Sequence, residues 1–115
     1  MCSDNYVKAE NFIRSGDEHY SKASYKMALN DYKQAEELCP DKDTYKYKTG
    51  KAFLALGKIK EAYFYFSSAL LLNQQNAEYN NGLAYVFYLM GDIEKACERA
   101  SIAVNLSPQN SLFRH

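Results

Sequence analysis

Side chains able to do covalent or metal chemistry are few and scattered. The two histidines, His19 and His115, and the three cysteines, Cys2, Cys39 and Cys97, stand far apart in the 115-residue chain. No Cys-x-x-Cys occurs, and no cysteine pairs with a histidine at the spacing of a metal site. No nucleophile has a partnering base, so the chain is expected to be no enzyme, with no catalytic residues, no metal and no cofactor. The glycines Gly16, Gly50, Gly57, Gly82 and Gly91 are isolated, not gathered into a phosphate-binding loop. An odd number of dispersed cysteines reads as free, mostly packed thiols in a reducing compartment.

Charge points the same way. Lysine plus arginine equals aspartate plus glutamate, 14 of each, so no overall field favours nucleic acid or an anionic membrane. Locally, Lys46, Lys48 and Lys51 form a basic stripe flanked by Lys42, Lys58 and Lys60. Such a stripe ordinarily makes a solvated helix face, with Lys48 and Lys51 the two placed to meet an acidic ligand segment. The opening MCSDNYVKAENF lacks the basic start and apolar run of a secretory signal, and no stretch approaches the ~20 apolar residues of a membrane span. A cytoplasmic location is the expectation. Eleven tyrosines, six phenylalanines and no tryptophan supply side chains suited to both helix packing and recognition, since tyrosine packs on one side and hydrogen-bonds on the other.

The elements that would position these residues follow from an internal repeat. Taking residue 43 as position 1 of a 34-residue unit puts Gly50 at position 8, Phe53 at 11, Gly57 at 15, Ala62 at 20, Phe66 at 24, Ala69 at 27 and Leu72 at 30. The same frame over 9–42 places Gly16, Tyr20, Ala28, Tyr32, Ala35, Leu38 and Pro40, and over 77–110 it places Leu83, Ala84, Phe87, Gly91, Ala96, Ala103, Leu106 and Pro108. Small residues at positions 8, 20 and 27 let helix backbones approach, while bulky ones fill the spaces between. Glycine at position 15 reverses the chain, with Ala23 a departure. Ser24 and Asp92 stand where the following helix needs an N-cap, whereas Lys58 caps poorly. Helices are expected near 5–22, 25–38, 44–56, 59–73, 78–90 and 93–106, with no strands. Residues 1–8 extend the first helix, and Tyr6 and Val7 there either fold back or reach a neighbour.

With these small, aromatic, Gly, Ala and Pro positions matched over 9–110, the sequence resembles the tetratricopeptide repeat family. That resemblance implies an all-α, right-handed superhelical α-solenoid of three helix-turn-helix pairs, 9–42, 43–76 and 77–110. Their first (A) helices line a concave face and their second (B) helices face outward. A helix pair cannot bury its own apolar face, so stacking supplies the stability and the ends need covering. Residues 111–115 form a short tail or the start of a further helix. Leu112 and Phe113 would cap the array or join it to another copy, leaving open whether the chain continues a longer array or is covered by a partner.

The resemblance also implies a function. Ligands of the family sit on A-helix positions facing the concavity, which here are Ile13, Asp17, Tyr20, Tyr47, Lys48, Lys51, Leu54, Asn81, Tyr85, Tyr88 and Leu89. A protein interaction module is expected, binding a peptide or helix of a partner protein as an adaptor or chaperone-like scaffold. The alternative is a self-assembling domain. One version of the family clamps the C-terminal carboxylates of heat-shock chaperones through lysine, asparagine and arginine. This chain departs from it, with Ile13, Asp17, Lys48, Glu78 and Gly82 at the clamp positions, and Asp17 and Glu78 would repel an acidic terminus. Three-repeat arrays with apolar grooves also resemble class II type III secretion chaperones, though no residue here is specific to them. Gly82, mid-helix, costs ~1 kcal/mol against alanine and either admits a close neighbour or leaves room for a ligand. His19 is expected to be structural.

Overall fold

The computed structural model describes residues 2–107. They form six helices: α1 (Cys2–Ser21), α2 (Tyr25–Leu38), α3 (Asp43–Ala55), α4 (Ile59–Leu72), α5 (Ala77–Leu89) and α6 (Ile93–Leu106), and no strand is present among them. Each helix packs on the next, giving an all-α solenoid of three pairs. The tail residues Leu112 and Phe113 lie outside the described residues.

The reversals inside the pairs share one geometry. Ala23, Gly57 and Gly91 have φ of 62°, 79° and 87°. The amide that follows each bonds back to the helix just ended, Ser24 to His19, Lys58 to Phe53 and Asp92 to Phe87, all at 2.9 Å. This satisfies the carbonyls that a helix end leaves orphaned. Asp92 then caps α6, its Oδ1 accepting from the Lys95 amide at 3.2 Å, and Asn76 caps α5 by accepting from the Tyr79 amide at 3.0 Å. Ser24 stands at the start of α2 but its hydroxyl makes no capping bond, so the expected serine cap is corrected. Its backbone carbonyl alone serves the helix, accepting from Ala28.

Packing follows the small-against-large frame. Ala28, Ala35, Ala62, Ala69 and Ala103 are buried, and Phe66, 1% exposed, fills the centre. A Cβ on Gly50 would stand 2.7 Å from the Phe66 ring, and one on Gly82 would stand 3.3 Å from it. Gly82 therefore admits a close neighbour. Burying a ring of this size contributes about 1.5–3 kcal/mol, and glycine on either side makes that burial possible. Helix α3 serves both core clusters, with Tyr45 and Ala52 in the first and Phe53 in the second.

Tyrosines tie the repeats together. Tyr45 at position 3 of the second repeat donates its hydroxyl to Glu10, and Tyr79 at position 3 of the third donates to Asp43 at 2.6 Å. Within the first repeat Tyr32 donates to Asp17 at 2.7 Å. Every buried side-chain nitrogen and oxygen among the described residues has a partner.

Two cysteine expectations are overturned. Cys2 and Cys39 form a disulfide that joins the first turn of α1 to the end of α2. The helix pair brings together residues 37 apart in sequence, a proximity that spacing alone does not disclose. Cys97 is free, as expected, but exposed instead of packed. Tyr6 in the N-terminal extension lies beneath Lys42, whose Nζ is 5.2 Å from its ring centroid, whereas Val7 is exposed. No described helix is long and apolar enough to cross a membrane.

Candidate peptide-binding groove

Helices α1, α3 and α5, the first of each pair, present their facing residues to one shared recess. It is about 420 Å³ and lined by Tyr20, Tyr47, Lys51, Leu54, Ala55, Phe66, Asn81, Gly82 and Tyr85. A smaller neighbour of about 190 Å³, lined by Asp17, Tyr20, Ser21, Tyr32, Lys48 and Lys51, shares Tyr20 and Lys51 with it. Of the eleven expected groove residues, six thus line the larger recess, Asp17 and Lys48 line only the smaller one, and Ile13, Tyr88 and Leu89 line neither; the differences have local causes.

Lys51 lies between two rings, its Nζ 5.1 Å from the Tyr20 centroid and 5.7 Å from that of Tyr47. Contacts of this kind are worth about 0.5–2 kcal/mol and hold the ammonium against the two rings. Tyr47 is braced from behind by Phe66 at 5.3 Å and Tyr79 at 4.9 Å between ring centroids. Burial, then the nearby Glu78 and Tyr20, push its hydroxyl up to about 12, so it stays a neutral donor. Burial and Tyr25 likewise raise Tyr20. Leu54, Asn81 and the half-exposed Tyr85 complete the wall.

Asp17 and Lys48 are spent on each other. Lys48 Nζ lies 3.0 Å from Asp17 Oδ1, the same oxygen that accepts from Tyr32. Lys46 is likewise paired with Glu36 at 2.8 Å. The expected solvated basic stripe is therefore corrected. Its lysines have two fates, because the preceding repeat brings carboxylates to Lys46 and Lys48, whereas Lys51 lies against Tyr20 of that repeat and Tyr47 of its own helix. No carboxylate among the described residues lies within salt-bridge distance of Lys51.

Ile13 does not reach the groove. It is 6% exposed and packed in the first core cluster, which also holds Tyr32, Tyr45 and Ala52. Tyr88 and Leu89 lie outside the recess, 60% and 43% exposed. They join Met90 and Ile93, both also exposed, in an apolar patch at the turn of the third pair. Sequence reasoning missed Phe66 as a lining residue. Gly82 carried the signal, because removing a side chain there uncovers the Phe66 ring. His19 sits with its Nε2 3.7 Å from Asp31, which also accepts from Ser15 Oγ at 2.8 Å. Among the described residues no group of His, Cys, Asp and Glu side chains is placed to hold a metal ion.

Six helices stacked as pairs, with a recess shared by the first helix of each, define an α-solenoid repeat scaffold. Family models described as TPR repeat and tetratricopeptide repeat match residues 16–57 and 78–110, together well over half of the chain. The chain belongs to the tetratricopeptide repeat family. No curated protein sequence matches it. Among solved structures, the Arabidopsis OM64 TPR domain is 24% identical with a TM-score of 0.88, over 92% of this chain and 88% of that one. The first TPR of Spaghetti (RPAP3), bound to an HSP90 peptide, is 18% identical with a TM-score of 0.86, over 90% and 82%. The Yersinia enterocolitica type III secretion chaperone SycD, in complex with a peptide of the translocator YopD, is 14% identical with a TM-score of 0.85, over 90% and 79%. At these identities the likeness concerns the fold.

Proposed function

We propose that the protein is an interaction module that holds a peptide or short helix of a partner protein in the recess shared by α1, α3 and α5. The observation that carries this reading is Lys51, held between Tyr20 and Tyr47 in a lining that is otherwise uncharged among the described residues. Aromatic and aliphatic surface around one unneutralised cation suits a ligand with apolar anchors and an acidic group between them. The peptides bound by the Spaghetti and SycD structures support a peptide ligand for this scaffold. A chaperone-type carboxylate clamp is a poor fit, because Asp17 and Lys48 neutralise each other where that clamp needs unpaired donors. An adaptor or chaperone-like role follows from such a groove, as one scaffold hosts many partners.

Affinity capture with mass spectrometry, comparing the chain with its Tyr85→Ala and Lys51→Ala variants, tests the reading. The expected result is loss of the same partner from both variants with helicity unchanged. Partners retained by both would remove the recess from consideration, and binding through Lys51 should weaken with ionic strength.

A second reading, self-association, is favoured by the exposed patch of Tyr88, Leu89, Met90 and Ile93. Light scattering on size exclusion at two concentrations separates the two. A monomer at the higher concentration sinks self-association, while a dimer lost on Tyr88→Ala with Leu89→Ala supports it.

A further inference from the structure

The second helices offer an internal comparison, because a groove recurs wherever neighbouring repeats meet. Between α2 and α4, with α3 as floor, the space is filled. Tyr65 stacks on Phe53 with centroids 5.4 Å apart, Lys33 Nζ lies 5.8 Å from the same ring, and Lys46 bonds Glu36 at 2.8 Å. At the equivalent positions 34 residues on, Ser67 replaces Lys33, Leu70 replaces Glu36, Asn80 replaces Lys46 and Arg99 replaces Tyr65. Those four fillers are replaced, Phe87 keeping Tyr63 at 5.8 Å between centroids and Lys95 Nζ at 5.7 Å, and between α4 and α6 an open recess of about 500 Å³ remains. Tyr63, Leu83, Phe87 and Ile102 give it apolar walls.

Arg99 is the only formally charged residue among the described residues that line it. Its Nη1 donates to Asn80 Oδ1 at 3.0 Å, and Asn80, 1% exposed, is held by donating to the Asn76 carbonyl at 3.1 Å. No carboxylate among the described residues lies within salt-bridge distance of Arg99. A guanidinium carries a rigid fork of donors that matches a carboxylate. Here it is oriented by a buried amide and left unneutralised beside apolar walls. The complement of such a surface is an apolar side chain next to an acid.

We propose that the groove between α4 and α6 is a second docking site, for a partner-protein segment that seats an apolar side chain in the recess and pairs a neighbouring aspartate or glutamate with Arg99. The site shares no residue with the Lys51 recess and does not rest on the reading given to it.

Panning a random heptapeptide display library on the full chain, then measuring the enriched peptides by fluorescence polarisation, tests this. Enriched peptides should carry a leucine-sized or aromatic residue within two positions of an acid. Their affinity should fall about tenfold or more for Arg99→Gln, which removes the charge, and for Ser67→Lys, which restores a filler of the first groove. Tyr85→Ala should leave it unchanged. No enriched peptide, peptides without an acid, or affinity indifferent to both groove variants while they remain folded by circular dichroism would overturn the proposal. Loss on Tyr85→Ala alone would do the same by placing the peptides in the Lys51 recess. So would a tenfold gain on Phe113→Ser, which would give the groove to the chain's own residues 108–115.

Discussion

Ala23 occupies the left-handed backbone position that Gly57 and Gly91 hold in the other two repeats, with φ of 62°. A Cβ there meets the following carbonyl at a cost of about 1 kcal/mol, so Ala23→Gly is expected to stabilise the chain by ~0.5–1 kcal/mol, read from the urea midpoint. Tyr79→Phe should cost about 1.5–3 kcal/mol, because it removes a hydrogen bond to the Asp43 carboxylate without altering ring packing. These tyrosines also set the alkaline limit. Burial, followed by the bonds to Asp17, Glu10 and Asp43, raises the hydroxyls of Tyr32, Tyr45 and Tyr79 well above the ordinary range, and Tyr47 rises to about 12. A raised folded pKa gives stability that is whole below the unfolded value of about 10 and lost as pH climbs through the folded one. The urea midpoint should therefore hold to roughly pH 9 and decline above pH 10. Tyr79→Phe should flatten that decline. Groove residues on long side chains were legible in the sequence, since Tyr47 and Lys51 project whatever their surroundings. Ile13 was not, because it is buried in a core cluster that draws on residues of the next repeat.

At the level of elements, the first pair differs from the others in being covalently closed. Its disulfide spans 37 residues, and a loop of that length is worth about 2–4 kcal/mol through restriction of the unfolded chain. Reduction should lower the melting temperature of the native chain and leave that of Cys2→Ser unmoved. Helix positions were legible because the 34-residue frame recurs three times, so each turn was read from three copies at once. Observed helices begin and end within a few residues of the expected bounds, with α1 starting at Cys2. The Cys2–Cys39 pairing was hidden, as it depends on how α1 lies along α2. The pairing of Lys46 and Lys48 was hidden for the same reason: the partners Glu36 and Asp17 belong to the preceding repeat. A frame that describes one repeat well carries little about contacts between repeats.

Across the whole molecule, buried contacts are unevenly distributed. Helix α3 buries Tyr45, Thr49, Gly50, Ala52 and Phe53, whereas α6 buries Ala103 alone among its described side chains. Repeat arrays behave as chains of nearest-neighbour couplings, and amide exchange reports the local opening free energy. Exchange should thus be fastest in α6, intermediate in α5, and slowest where α1 to α3 are bound by the disulfide and the Tyr45 bond. Equal protection in α6 and α3 would contradict this gradient. The two tyrosine bonds to the preceding repeat have a further consequence. Each carboxylate belongs to the earlier repeat and each hydroxyl to the later one, so losing the third pair leaves Asp43 with Asn73 as its remaining donor and leaves the Tyr45 bond intact. Under denaturant, loss of structure in this chain is therefore expected to run from α6 towards α1, with the disulfide-closed first pair the last to open.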